Sequence, residues 1–403
     1  MRIIKHEIEK VINIKTILIL FIISVLFYKL EIIPRTNIRQ NAGPLNSLVG
    51  NMIKDYGVTI EEDEFKDFKN KYNEKVKLAN EFIKANEEFS DLGILNYKEF
   101  DKIVRNNGEE KYNNPKLEEL YHKYIYHDEI SLFNELSEIE NILITYEHEG
   151  SVEESILFDV VSNKMSEDSK EKVISRIYEI INSGDRNSPL PYTVFEQYDD
   201  LIKSISKLIL ISAVFIISPI YLKDKLGKIN YLQYYSHIGR DIFKKKIVAT
   251  ILVSILITSI QLIVFFIYYK AQNNSIFLNC SISGFFNSPI ESWYDLTFRS
   301  YIGLTIVCVY LISIAVSMVI LYISSKVNSY ISLIGIQVIN LFIVSNFMLK
   351  ILINQVSSIY ITITRIGYIY LPKYFLPIIY VVLIILPISI LYLRNKKELK
   401  CDI

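Results

Sequence analysis

The chain reads as an all-α membrane protein with six transmembrane helices and a large, mainly helical extracytoplasmic domain inserted between helices 1 and 2. Three observations predict this. Hydrophobic residues make up 51% of the 403 positions and charged residues 22%, with a mean hydropathy of +0.26. Such values coexist only where apolar and charged residues occupy separate stretches. Long uncharged runs are present, and basic residues crowd the connections that alternate between them. Residues 34–200, in contrast, contain no apolar run of membrane length.

A bilayer core of roughly 30 Å needs about 20 helical residues. The stretches 247–269, 300–325, 327–349 and 374–393 meet that length without a charge. Residues 16–28 and 208–222 are shorter, and each is bounded by lysines whose stems can snorkel and extend the span by a turn. The first span follows a basic flank (Arg2, Lys5, Lys10, Lys15), and no small-residue cleavage site comes after it, so it reads as an uncleaved anchor. Three regions result: 1–33, with the cytoplasmic N-terminus and helix 1; 34–200, the extracytoplasmic domain; and 201–403, with helices 2–6 and a cytoplasmic loop at 223–246.

Orientation follows the basic residues. With the N-terminus inside, the cytoplasmic pieces 1–15, 223–246, Lys326 and 394–403 hold 16, against five in the short outer loops 270–299 and 350–373. This expects a multi-pass cell-membrane protein with both termini cytoplasmic and membrane lipids as its surroundings. Tyr268, Tyr269, Trp293, Tyr294 and Tyr301 fall at the outer ends, and fit either an interfacial aromatic belt or ordinary loop aromatics.

The insert carries 20 basic and 35 acidic residues. Stripes at helical spacing run through it: Phe65, Phe68, Tyr72, Val76, Ala79, Ile83; then Leu117, Leu120, Tyr121, Tyr124, Ile125; then Val173, Ile174, Ile177, Tyr178, Ile181. Pro115 suits a helix start, and Asn182 to Pro191 a stop and loop. Some β-structure is expected around 142–146 and 152–161.

Catalytic signatures are missing from the sequence. It has no G-x-x-x-x-G-K-[ST] phosphate loop, no G-x-S-x-G elbow and no zinc-protease pair of histidines. His122 and His127 are poorly spaced for a helix-borne metal site. The reading is therefore no catalytic residue, no metal and no cofactor in this chain, and a charge balance of 44 to 44 gives no wholly basic surface for nucleic acid. Three cysteines (Cys280, Cys308, Cys401) make no disulfide framework. The four long spans carry no Asp, Glu, Lys, Arg or His, which disfavours proton-coupled carriers. Their polar residues Gln261, Gln337 and Asn340 are candidates for a translocation lining or for helix–helix hydrogen bonds. Ser313 and Ser317 suggest close helix packing, and Pro219, Pro377 and Pro387 suggest kinks.

The loop 223–246 holds seven basic and two acidic residues. Leu226, Ile229, Leu232 and Tyr235 form an apolar side between lysines, suited to a membrane interface. Ser236-His237-Ile238-Gly239 then turns the chain, and Arg240-Asp241 opens a helix running through Lys246 into helix 3. This pattern resembles the permease subunits of ABC-2-type ABC transporters, with Asp224 and Gly227 at the acidic-plus-glycine start, Ser236 to Arg240 at the turn and Lys246 before the next span. Lys228 and Asn230 stand where the family often has Thr and Glu, and the turn lacks its usual proline.

The resemblance covers about 230 residues of the membrane part. It implies a transport subunit that pairs with a second permease subunit, as a homo- or heterodimer, and with ABC ATPase subunits that bind the ATP. Asp224, Leu226, Gly227, Ile229, Leu232, Tyr235, Gly239 and Arg240 would be the ATPase-coupling residues of an exporter. From another class, a membrane-anchored sensor or scaffold with a ligand-binding extracytoplasmic domain remains the alternative, and a sodium-coupled carrier a third.

Overall fold

A computed structural model of the chain describes residues 2–40, 45–106, 115–126, 131–147, 167–229, 242–284 and 292–349, with short stretches between 360 and 389. The described residues are almost all helical. Four helices are long and apolar enough to cross a membrane: Ile14–Thr36, Tyr192–Leu226, Ile242–Lys270 and Phe298–Lys326. The fifth expected span is a shorter apolar helix, Tyr330–Asn346, and most of the sixth lies outside the described residues.

The first helix, α1 (Arg2–Val11), is short and amphipathic, with Glu7 and Val11 buried. Asn13 then starts α2 (Ile14–Phe27). Its Oδ1 accepts from the Thr16 N–H at 3.0 Å, and Thr16 Oγ1 accepts from the Asn13 N–H at 2.9 Å, a reciprocal capping box. A wide π turn at Tyr28–Ile32 leads into α3 (Ile33–Gln40), where Pro34 has no N–H to offer the preceding turn. None of the α2 side chains is buried, and Ile14, Phe21 and Leu26 stand exposed.

Helices α4 (Leu45–Tyr56), α5 (Glu62–Ala85), α6 (Glu87–Ser90), α7 (Tyr97–Asn106), α8 (Pro115–Tyr121), α9 (Ser131–Glu147) and α10 (Glu167–Asn182) make up the 34–200 segment. The expected stripes face inward: Phe65, Phe68, Tyr72, Ala79 and Ile83 are buried, as are Leu117, Leu120, Tyr124, Val173 and Ile177. Val76, Ile174 and Ile181 are partly buried, and Tyr178 is half exposed. The side chains of Tyr121 and Ile125 lie outside the described set. Phe82, Phe89, Phe100, Tyr124 and Phe133 pack ring on ring at the centre. Residues 142–146, expected as strand, are helical within α9. Leu136, Ile139, Ile142 and Leu143 recur at three- and four-residue spacing and bury one face, which overrides the local β-branched content. Residues 152–161 lie outside the described residues.

The apolar bundle is built on α11 (Tyr192–Ile217), α12 (Pro219–Leu226), α13 (Ile242–Lys270) and α14 (Phe298–Lys326), followed by α15 (Tyr330–Ile343). The break between α11 and α12 falls at Ser218–Pro219, because proline cannot continue the hydrogen-bond ladder. On α13 the lipid-like side is purely apolar (Leu256, Ile260, Ile263, Ile267, all exposed), while Thr250, Ser254, Thr258 and Gln261 face inward. Exposed isoleucine opposite buried hydroxyls is the arrangement that hydrocarbon solvent favours. Ser313 on α14 bonds to Ser254 at 2.9 Å and Thr258 at 2.8 Å, so the small residues bring α13 and α14 close.

Two levels bound this bundle. Asp199, Tyr269 and Tyr301 meet at one end, and Asp224, Lys246 and Ser324 at the other. Each helix runs 23–25 residues between the levels, roughly 35 Å at about 1.5 Å per residue. The 34–200 helices sit at the first end. Thr193 Oγ1 donates to Asn46 at 2.6 Å, Ser188 Oγ to the Val58 carbonyl at 2.7 Å, and the Ser281 N–H to Ser188 Oγ at 2.9 Å. Of the aromatics expected at the outer ends, Tyr269, Trp293 and Tyr301 are buried in protein contacts, while Tyr268 and Tyr294 are half-buried. Cys280 and Cys308 are buried and stand outside any disulfide among the described residues, and Cys401 lies outside the described residues.

One feature departs from an all-α reading. β1 (Tyr360–Ile363) and β2 (Gly367–Tyr370) pair antiparallel, with Tyr360 opposite Tyr370. Alternating Tyr, Ile and Thr favour the pleated form over helix.

Candidate functional site

The loop that follows α12 begins at a buried cluster of charges. Asp224 is 1% exposed and ion-paired to both Lys10 of α1 and Lys246 of α13, itself 0% exposed. Glu7 closes the group, 3.6 Å from Lys10 and 4.0 Å from Lys246. Two acids and two ammoniums make a neutral quartet, the condition under which charge tolerates burial. Lys246 Nζ also lies 4.2 Å from the centre of the Tyr221 ring, a cation–π contact, and 3.5 Å from the Ile220 carbonyl.

Short-range geometry positions each member. Glu7 and Lys10 stand three residues apart on the inward face of α1. Pro219 restarts the helix so that Ile220, Tyr221, Leu222 and Asp224 point into the bundle. Lys223 Nζ donates to the Lys10 carbonyl at 3.0 Å, at the frayed end of α1 where carbonyls lack helical partners. Lys225 Nζ reaches the Val327 carbonyl at 2.9 Å, capping α14 in the same way. Ser324 Oγ donates to the Ser218 carbonyl at 2.5 Å. The eight residues of α12 are thereby fastened to α1, α13 and α14 together.

The residues expected to couple to a partner divide sharply. Asp224 faces inward and serves as a tie between helices. Leu226 is 54% exposed and Ile229 43% exposed, with Gly227 and Lys228 exposed between them. The turn falls on Lys228, whose φ of 55° is left-handed, while the Gly227 N–H bonds the Lys223 carbonyl at 3.0 Å. Leu232, Tyr235, Gly239 and Arg240 lie outside the described residues. Helix α13 is described from Ile242 onward.

Two of the three amides reach neighbouring helices. Gln261 Nε2 donates to Ser24 Oγ at 3.0 Å, joining α13 to α2. Gln337 is buried, with Nε2 3.5 Å from the Ile320 carbonyl, and Asn340 Nδ2 lies 3.4 Å from Gln337 Oε1. Gln337 and Asn340 are thus brought together on α15, and Gln261 engages a different helix. His122 pairs with Glu118 at 3.9 Å, and among the described residues no group of His, Cys, Asp or Glu could hold a metal ion.

No protein-family model, curated protein or solved structure matches this chain. The reading therefore rests on its own residues.

Glu7 and Lys10 escaped sequence reasoning, since their partners lie more than 200 positions away; the one available signal was the amphipathic face of residues 2–11. Asp199 escaped for another reason. The apolar run starts at 208, but the helix starts at Tyr192, so a carboxyl nine residues before the run is carried into the bundle.

Proposed function

We propose that the chain is the membrane-spanning permease subunit of an ATP-driven ABC transporter of the ABC-2 type, working as an exporter. In this reading six helices cross the cell membrane, both termini are cytoplasmic and 34–200 is extracytoplasmic. Separate ATPase subunits carry the ATP and dock on 223–246, and a second permease subunit completes the pathway. The observation that carries it is the buried quartet of Glu7, Lys10, Asp224 and Lys246. A loop that only connects two spans needs no such fastening. A loop that receives a push does, because displacement of Leu226 and Ile229 then moves α1, α13 and α14 as one body.

The test is purification of the full chain from its native membrane in mild detergent. A stoichiometric ATPase that is lost on replacing Leu226 and Ile229 with Asp supports the proposal. A chain recovered folded and without any ATPase, under conditions that keep known permease complexes whole, argues against it. A sensor or scaffold role is favoured by a different contact, in which Arg176 of α10 bonds Asp295 and Ser292 just before α14. Signalling that persists with no ATPase bound would select that role.

A further inference from the structure

We propose that Asp199 is a proton-binding site at the Tyr192 end of the bundle, and that its protonation lets α11 and α14 close on one another. The inference is independent of the transporter reading.

Asp199 is 7% exposed, in a helix packed on both α13 and α14. Tyr301 Oη of α14 donates to its Oδ1 at 2.6 Å. The walls are aromatic: Phe195 lies 4.9 Å from the Tyr301 ring, and Tyr198 lies 5.5 Å from both Tyr269 and Phe298. Tyr198 Oη is engaged with Thr305 Oγ1 at 2.6 Å, and the buried Tyr269 hydroxyl lies beside Asn274.

The cations of this end are directed elsewhere. Lys203, one turn along α11, pairs with Asp200 at 3.7 Å, and Arg35 and Lys207 share Glu31 at 2.7 and 3.9 Å. Lys270 and Arg299 are exposed. Among the described residues no Lys, Arg or His lies within ion-pairing distance of Asp199. Lys203 acts on Asp199 only from beyond ion-pairing distance, and the other titratable groups along or against this stretch, Glu196, Asp200, Tyr198, Tyr269, Tyr301 and Cys308, are acids or neutral groups that cannot offset a buried anion.

A carboxylate among rings with one phenol donor and no counter-ion is expensive; the neutral acid is not. The closed contact therefore accommodates Asp199 as the acid. The carboxylate takes one proton from water at this face, and Tyr301 keeps its own while donating to the carbonyl oxygen. Release of the proton leaves a charge that needs water, so Tyr301 and Asp199 must part to admit it. The helices carrying them run the length of the bundle to the Asp224 level.

Infrared difference spectroscopy on the full chain in lipid nanodiscs tests this. Wild type minus Asp199→Asn at neutral pH is expected to show the carbonyl stretch of a protonated carboxylic acid. A carboxylate doublet in its place overturns the proposal. Carbon-13-labelled aspartate in the wild-type chain needs no substitution: a labelled acid band is expected, insensitive to dilution in neutral buffer and lost on alkalinisation. Absence of that band overturns the proposal. Emission of Trp293, the single tryptophan, follows the closure from the segment that leads into α14. It is expected to change with alkalinisation in wild type and to stay constant in Asp199→Asn. An identical titration in both proteins assigns the event to another group and overturns the link to closure.

Discussion

Asp224 holds Lys10 across 214 residues of sequence, joining the first helix of the chain to the loop that follows α12. Both side chains are largely withdrawn from solvent, and Lys246 shares the same carboxylate. Removing the acid leaves two ammoniums facing only Glu7. Asp224→Asn is expected to destabilise by about 3–5 kcal/mol, the cost of orphaning buried charge. Lys10→Met alone should cost less, because the direct Lys246–Asp224 pair persists, Lys246 still faces Glu7, and Lys10 reaches the edge, where water can take its place. Thermal unfolding in detergent checks both, and equal losses would contradict the quartet's geometry.

Lys228 occupies left-handed backbone with φ of 55°. A Cβ crowds the carbonyl in that region, and glycine escapes the clash. Lys228→Gly is expected to stabilise by about 0.5–1 kcal/mol in the same unfolding measurement. The residue is exposed, so no packing is lost.

Gly284 packs directly on the segment joining α10 to α11. A Cβ built there would meet the Ser188 carbonyl oxygen at 2.0 Å, a backbone atom unable to swing aside. Gly284→Ala is expected to cost about 1–3 kcal/mol or to displace the loop. Loss of protection at the Ser281 amide, which bonds Ser188 Oγ, would report the displacement by hydrogen exchange.

Arg176 is buried and makes three bonds: to the Ser292 carbonyl at 2.9 Å, Asp295 at 2.6 Å and Glu179 at 3.1 Å. Trp293 lies against Val173 and Ile177 on the same face of α10. Arg176→Ala is expected to cost about 1.5–3 kcal/mol, as charge-assisted bonds do, and to shift Trp293 emission to the red as water enters. An unchanged spectrum would show that the indole is held without the guanidinium.

The pH dependence of the 34–200 helices is expected to have an acid limb at Glu88. Lys123 at 2.6 and 2.8 Å and the Tyr124 hydroxyl at 3.0 Å hold its carboxyl below the ordinary range. A depressed folded value means that the contribution is present above the unfolded value and is lost as pH falls through the folded one. Glu88→Gln should flatten that limb in an acid titration followed by circular dichroism. An identical acid transition in both proteins would assign it to other carboxylates.

Periodicity made the helices legible. The stripe from Phe65 to Ile83 and the run 300–325 both stand where their spacing and length place them, because burying a face or crossing hydrocarbon constrains residues only a turn apart. The strand expected at 142–146 failed because a five-residue run with three β-branched members (Ile142, Ile144, Thr145) is ambiguous until one knows that Phe133 and Leu136 continue the same buried face. The candidate site was half legible. Asp224 and Lys246 were visible through the pattern of the loop, but the inward turn of Asp224 was not, since it depends on Lys10 and Glu7 arriving from the other end of the chain.

What the sequence determined by itself is therefore local: which stretches are helical, which are apolar enough to lie in a membrane, and where Pro219 breaks one of them. Tertiary structure alone decided the partners. Charge balance in the quartet and the withdrawal of Asp199 beneath Tyr301 depend on distances between helices, and the free energy of a buried charge is set by its neighbours in space rather than in sequence.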